Sequence, residues 1–215
     1  MLSEQQHAFA RVLDLIEEVG CMSFVVLIGS WAEYVYKEAG ILPGFDPNIR
    51  TLDVDFLIRD LRRPVPAASL AVLAKEKGFF VESDRLNGST KILDASGLEV
   101  EFLIRKMGAG AEVALKTNVG VTAQTLRHLE ILSTNLLETI CLGHVLRVPA
   151  PEAYVIYKMV INDERGPKAE KDAVAVMALA SYLVEEKAIA IFESLTKKEQ
   201  LRVRAFIAKY GIENQ

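Results

Sequence analysis

The chain has 215 residues, of which 51% are hydrophobic and 25% are charged, a composition typical of a globular protein with a sizeable core. Its formal net charge of -4 argues against a protein that coats nucleic acid non-specifically, because such binding needs an excess of Lys and Arg. Two cysteines are too few for a disulfide scaffold, and the sequence shows no signal-peptide pattern or bilayer-spanning apolar run, so we expect a cytoplasmic protein with no membrane partner.

Helical and strand patterns alternate up to residue 148. Apolar residues recur at helical spacing over residues 3–18, with Ser3 as the expected N-cap. A continuous apolar run over residues 23–28 predicts a strand buried on both faces, which ends at Gly29-Ser30 before a second helix. In chain order, the sequence then predicts a loop at 41–49, an acidic strand that ends at residue 58, a helix at 67–77, strands at 79–83, 90–93 and 98–104, an irregular connection at 107–121, short strands at 126–132 and 136–142, and an exit from the sheet at 143–148.

Two prolines, Pro149 and Pro151, mark a change in the pattern, since proline suits the first turn of a helix and not its interior. Beyond them the sequence predicts helices at 152–162, 168–185, 188–195 and 196–210. We therefore expect an α/β (α+β) fold with a mixed central sheet flanked by helices. Residues 1–148 would form the α/β core and residues 149–215 a helical C-terminal subdomain. We interpret Cys21 and Cys141 as buried thiols.

Two aspartates stand two residues apart on the acidic strand. Because side chains alternate between the faces of a strand, Asp53 and Asp55 should point to one face while Leu52, Val54 and Phe56 point into the core. Like charges this close are tolerated chiefly when a cation lies between them or when one of them stays protonated. A divalent metal is the expected cation.

A later strand repeats this pattern with Glu99 and Glu101. If the two strands are neighbours, at least three carboxylates converge, as a two-Mg²⁺ phosphoryl-transfer site requires. The Gly29-Ser30 turn, between a strand end and a helix start, would present backbone N–H groups that could hold phosphates. The alternative is an ordinary turn beside a solvated acidic sheet face that carries no chemistry.

The order of these motifs resembles the nucleotidyltransferase superfamily that shares the polymerase-beta-type fold. Gly29-Ser30 comes first, then Thr51 just before Asp53-Val54-Asp55, then the later acidic strand. Further along, four short motifs resemble the helical segment of the toxin-type nucleotidyltransferases related to abortive-infection systems. They are Pro151-Glu152, Lys158, Arg165-Gly166-Pro167-Lys168 and Lys171-Asp172.

The resemblance implies a role for each position that matches a motif. Gly29-Ser30 would contact the triphosphate. Asp53, Asp55 and Glu101 would be the catalytic carboxylates that ligate Mg²⁺, with Glu99 as the alternative for the third position.

Three positions in the helical part would also serve the nucleotide. The resemblance implies that Lys158 reaches the triphosphate from its helix, while Lys171 and Asp172 lie near the nucleotide or fix the helices to the core. A snorkelling lysine on an amphipathic helix is the ordinary alternative for Lys158.

The activity that the resemblance implies is a Mg²⁺-dependent transfer of an NMP from an NTP to an acceptor hydroxyl, with release of pyrophosphate. The acceptor would be a small molecule, an RNA or a protein. The alternative is a catalytically inactive nucleotidyltransferase-like binding or regulatory protein. If that protein belonged to a toxin–antitoxin pair, it would have a protein partner.

Overall fold

The computed structural model describes residues 3–47 and 51–211. The chain divides into two compact units. The first contains Met1–Leu129 and Leu137–Val148, and the second contains Glu130–Leu136 and Pro149–Gln215. Among the described residues, no helix has the length and apolar character needed to cross a membrane.

The first unit is built on a seven-stranded mixed sheet. Its strands are β1 (Val25–Ile28), β2 (Asp53–Ile58), β3 (Phe80–Ser83), β4 (Thr90–Leu93), β5 (Glu99–Arg105), β6 (Ala114–Lys116) and β7 (Thr122–Leu126). The spatial order is β1-β2-β5-β4-β3, with β7 also paired to β5 and β6 paired to β7. β2 runs parallel to β5, whereas β1 and β4 are antiparallel to these two strands. This arrangement confirms the predicted mixed central sheet.

Three helices accompany the sheet in the first unit: α1 (Glu4–Glu18), α2 (Ser30–Glu38) and α3 (Leu70–Glu76). Ser3 caps α1 as expected, because its hydroxyl accepts a hydrogen bond from the Gln6 backbone N–H and the Gln6 side chain accepts one from the Ser3 backbone. Apolar residues along one face of α1 are buried, among them Phe9, Val12 and Leu13.

The thiols of Cys21 and Cys141 are buried, as the sequence suggested. Burial raises the pKa of each to about 11, because it disfavours the thiolate.

The second unit is helical, and the sequence predicted helices in its part after residue 148. It contains α4 (Glu130–Thr134), α5 (Pro151–Ile161), α6 (Ala169–Ala180), α7 (Glu185–Ser194) and α8 (Lys197–Tyr210). A cluster of buried residues joins α4, α5, α7 and α8: Ile131, Ala153, Ile156, Val160, Ile161, Ile191 and Val203. The prediction of four C-terminal helices was correct to within a few residues at each end.

Four local predictions were wrong. The segment predicted as a strand at 126–132 ends β7 and then enters α4, since a short apolar run does not distinguish a strand from a buried helix. The irregular connection at 107–121 contains β6, and the exit at 143–148 is a strand, β9 (His144–Pro149), paired with β8 (Leu136–Cys141). The sequence predicted that Leu52 points into the core, but this residue precedes β2 and is 40% exposed.

The loop predicted at 41–49 has no helix or strand in its described part, residues 41–47. Residues 48 and 49 lie outside the described residues.

Candidate active site

The two acidic strands of the sequence are neighbours in the sheet and share a register. Asp53 of β2 lies opposite Glu99 of β5, and Asp55 lies opposite Glu101. Parallel neighbours are separated by about 4.8 Å, so the four carboxylates form one patch on one face. Asp53 is exposed, and Asp55, Glu99 and Glu101 are half-buried. Val54 and Val100, which alternate with these acids along the two strands, are buried. The structure therefore brings together the acidic residues that the sequence placed on two separate strands.

Gly29 places the turn after β1 directly against Asp55. β1 pairs with β2 so that Ile28 lies opposite Asp55, and Gly29 follows with φ +70° and ψ -164°. A Cβ atom at position 29 would lie 2.3 Å from Asp55 Oδ2, so any other residue here would force the Asp55 carboxylate to move. Glycine also suits the positive φ, which residues with a Cβ adopt only at a free-energy cost. The turn and the carboxylate are therefore parts of one local structure.

Helix α2 starts at this turn, with Gly29 as its N-cap and Ser30 as its first residue. In the described part of the chain no side chain caps this helix start. The first backbone N–H groups of a helix have no partner within the helix, and they carry partial positive charge that favours an anion. The start of α2 thus has the chemistry of a phosphate-binding turn beside Asp55.

Lys91 also belongs to this face, although the sequence did not predict a role for it. It lies on β4 opposite Glu101, and its ammonium Nζ is 3.0 Å from Glu101 Oε1 and 3.3 Å from Asp84 Oδ2. It also forms a close hydrogen bond with Glu99. The signal that could have found it is a three-residue loop at Ala95-Ser96-Gly97, because that loop sets Asp94 opposite Leu98 and hence Lys91 opposite Glu101.

The surrounding carboxylates hold Lys91 in its charged form. Hydrogen bonds to Glu99 and then to Glu101 raise the pKa of the Lys91 ammonium above its ordinary value. The pKa of Asp84 is lowered, chiefly by hydrogen bonds from the backbone N–H groups of Leu86 and Asn87 and also by Lys91. Both shifts favour the charged forms of Lys91 and Asp84 at neutral pH.

The donor set of this face fits Mg²⁺ at the aspartates. Carboxylate oxygens are the ligands that Mg²⁺ prefers, and in phosphoryl-transfer sites it usually binds one or two carboxylates together with substrate phosphates. Asp53 and Asp55 supply two such groups beside the Gly29 turn. Among the described residues, no three His, Cys, Asp or Glu side chains converge as a ready-made metal cluster. Asp53 and Asp55 are accordingly the residues that would hold the ion with a bound triphosphate.

The helical residues singled out by the sequence form an ion-pair cluster within the second unit. Lys158 of α5 is 8% exposed, and its Nζ donates to Asp172 Oδ1 of α6 at 2.6 Å. Arg165 Nε donates to the other oxygen of Asp172 at 2.8 Å, and the Lys158 ammonium lies 4.9 Å from the centre of the Tyr154 ring. Lys171 is exposed. Asp172 therefore links α5 to α6, while the contact of Lys158, Lys171 and Asp172 with a nucleotide stays a prediction.

Comparison with known proteins identifies the family and the fold. Residues 7–198 match the sequence model of a family described as nucleotidyltransferase. The chain belongs to the nucleotidyltransferase family. As a nucleotidyltransferase it shares its fold with an antigenic nucleotidyltransferase-like protein from Paracoccidioides brasiliensis, at a TM-score of 0.53 and 12% identity over 97% of this chain and 89% of that one. The antibiotic-resistance factor ANT(2'')-Ia is similar at a TM-score of 0.45 and 14% identity over 94% of each chain.

No curated protein matches the sequence. The family match confirms the nucleotidyltransferase assignment that the motifs suggested, and the similarity to the P. brasiliensis protein confirms the fold class. The closer resemblance to toxin-type nucleotidyltransferases stays a prediction.

Proposed function

We propose that this nucleotidyltransferase transfers an NMP from an NTP to an acceptor hydroxyl in a Mg²⁺-dependent reaction that releases pyrophosphate. The observation that supports the proposal is the close approach of Gly29 and Asp55, which places a turn that would bind phosphate against a carboxylate that would bind the metal. A sheet face whose acids served only solubility would not need a glycine fitted against one of them. Family membership supports a nucleotide as the substrate.

Each group at the site has a defined task in this reaction. The backbone N–H groups at Gly29 and Ser30, with the Ser30 hydroxyl, would bind phosphate oxygens. Asp53 and Asp55 would hold Mg²⁺, which neutralises charge on the phosphates when it is bound. The acceptor oxygen forms a bond to the α-phosphorus on the side opposite the bridging oxygen to the β-phosphate. That bridging bond breaks, pyrophosphate leaves with its electron pair, and the acceptor hydroxyl gives up its proton to water.

Positioning and charge stabilisation account for catalysis at such a site, since phosphoryl transfer requires little covalent chemistry from the protein. The third carboxylate that the sequence assigned, Glu101, lies next to Asp55 with Glu99 beside Asp53. Lys91 binds both glutamates, and the two aspartates lie one strand closer to the turn that would bind the triphosphate.

Calorimetric titration of NTPs in the presence and absence of Mg²⁺ tests the binding part of this proposal. We expect Mg²⁺-dependent binding to the wild type, and loss of that binding in Asp53→Asn, in Asp55→Asn and in the double variant. Glu76→Gln is the matched control, because Glu76 is exposed on α3 and its substitution also removes one negative charge. Equal binding by the wild type and the aspartate variants would contradict the metal role of Asp53 and Asp55.

Pyrophosphate release tests the chemical part. An active transferase, incubated with α-³²P-labelled NTPs and a cell lysate, releases pyrophosphate and moves label to a small molecule, an RNA or a protein. The class of the labelled product identifies the acceptor. A protein that binds Mg²⁺-NTP but releases no pyrophosphate with any of the four NTPs would instead be a binding or regulatory member of the family.

A further inference from the structure

One row of residues crosses the sheet at the candidate site. Starting at the Gly29 turn, the register runs from Ile28 of β1 to Asp55 of β2, then to Glu101 of β5 and Lys91 of β4. Asp55 and Lys91 therefore flank Glu101 on its two sides. The third carboxylate of the expected metal site has a cation from the protein itself as a neighbour.

Lys91 is bound to its carboxylates on several sides. Its ammonium reaches Glu99, Glu101 and Asp84, and its side chain is only 19% exposed. A lysine ammonium has three donor hydrogens, and three carboxylate partners can accept all of them. Hydrogen bonds to ionised groups are about twice as strong as neutral ones. Displacing Lys91 would require breaking these contacts and moving a half-buried charge.

A second divalent ion bound to Glu101 would lie close to the Lys91 ammonium, which is 3.0 Å from Glu101 Oε1. A dipositive ion next to the Lys91 ammonium is opposed by like-charge repulsion. The aspartates lie on β2, one strand further from Lys91 than Glu101, and Asp55 lies at the Gly29 turn.

We propose that Lys91 takes the place of one of the two divalent ions at this face. Asp53 and Asp55 then hold a single ion, which arrives with the triphosphate, while Lys91 neutralises Glu99 and Glu101. Lys91 is thus a positioning residue that sets the metal count of the site. This inference rests on the proposed function, because it concerns the ion that Asp53 and Asp55 bind.

Counting bound Mn²⁺ by electron paramagnetic resonance tests the inference without turnover. The titration uses the full chain with the α,β-methylene analogue of the NTP that binds most tightly in calorimetry. We expect one Mn²⁺ for each protein–nucleotide complex in the wild type and two in Lys91→Met, in which the glutamates lose their cation. Lys91→Arg keeps the positive charge and should bind one. Lys75→Met on α3 removes an exposed lysine and should also bind one.

Circular dichroism checks whether Lys91→Met folds. A second variant tests the inference even if Lys91→Met does not fold. If Glu101 is not a metal ligand in the wild type, Glu101→Gln leaves the count at one. Two ions in the wild type, with one in Glu101→Gln, would overturn the inference while leaving the proposed function intact. One ion in both the wild type and a folded Lys91→Met would overturn it as well. A wild type that binds no Mn²⁺ with the nucleotide would instead overturn the proposed function, and this inference with it.

Discussion

Gly29 is the single residue on which the geometry of the candidate site depends most directly. Its φ of +70° and ψ of -164° belong to a region that residues with a Cβ adopt only at a free-energy cost of about 1–3 kcal/mol. In Gly29→Ala the new methyl carbon would lie 2.3 Å from Asp55 Oδ2, so it would also displace that carboxylate. We expect a loss of about 1–3 kcal/mol in the free energy of unfolding by urea. Mg²⁺-NTP binding should weaken roughly tenfold or more by calorimetry, because a ligand group is misplaced.

Gly40→Ala is the control for the backbone effect. Gly40 follows α2 with φ +65°, but a Cβ there would meet no atom within 4 Å. Its substitution should lower the free energy of unfolding by about 1–2 kcal/mol, because an L-residue is disfavoured in the left-handed region, and should leave nucleotide binding unchanged. Equal nucleotide affinity in Gly29→Ala and Gly40→Ala would show that the Asp55 contact has no part in binding.

At this site, some residue-scale features can be predicted from the sequence and others cannot. Alternation along one strand was enough to place Asp53 with Asp55, and Glu99 with Glu101, because the period of two is a local property. Lys91 was missed because its role exists only through the register of β4 against β5. A single lysine in a short strand has no local signal that separates it from a solvated one.

At the scale of elements, Asp172 connects α5, α6 and the turn that carries Arg165. Asp172 is 2% exposed, so removing its charge would leave the buried Lys158 ammonium without its partner. Breaking a buried ion pair in this way costs about 3–5 kcal/mol. We therefore expect Asp172→Ala to lower the free energy of unfolding by roughly 3 kcal/mol or more, measured by urea denaturation monitored at 222 nm.

Glu164→Gln is the matched control, since the Glu164 side chain is 49% exposed in its ion pair with Arg202. An exposed pair contributes about 0–1 kcal/mol, so this variant should differ little from the wild type. The double variant Lys158→Met/Asp172→Ala should recover part of the loss, because no buried charge remains unpaired. An Asp172→Ala protein as stable as Glu164→Gln would mean that Asp172 does not hold α5 and α6 together.

Elements with a strong local signal were predictable, and two short elements without such a signal, α4 and β6, were not. α1 carries a capping box and a repeated apolar face, which act within a few residues and fix both its start and its orientation. The five-residue α4 and the three-residue β6 are defined by what they pack against. The sequence predicted a strand at residues 126–132 because a run that short fits either a helix or a strand until its neighbours are known.

At the scale of the whole molecule, the fold class followed from the order of elements, but the strand order did not. β2 and β5 are neighbours although α3, β3 and β4 lie between them along the chain. Parallel neighbours need a crossover connection, and several routes through these intervening elements satisfy that need. The family resemblance gave the expectation that the two acidic strands meet, and the register between them came from the structure.

Global unfolding exposes both buried thiols, and this makes stability depend on alkaline pH. Burial raises the pKa of Cys21 and of Cys141 from an ordinary 9.0 to about 11 in the folded protein. Between these values the unfolded chain has lost thiol protons that the folded chain keeps. Because the unfolded state then binds fewer protons, the free energy of unfolding falls as pH rises from about 9 to 11. The stabilisation is fully present below pH 9.

The slope of stability against pH in this window is the quantity to measure. Each thiol contributes up to roughly 1.4 kcal/mol for each pH unit, so urea unfolding between pH 8 and pH 11 should show a steeper decline in the wild type than in Cys21→Ala/Cys141→Ala. Other groups that titrate here are common to both proteins. Tyr34 does not cancel fully, because its pKa is raised to about 12 first by burial and then by Cys141, which the variant lacks. Alanine removes the titrating group without adding a buried polar atom. Parallel curves would show that both thiols ionise alike in the folded and unfolded chains, in conflict with their burial.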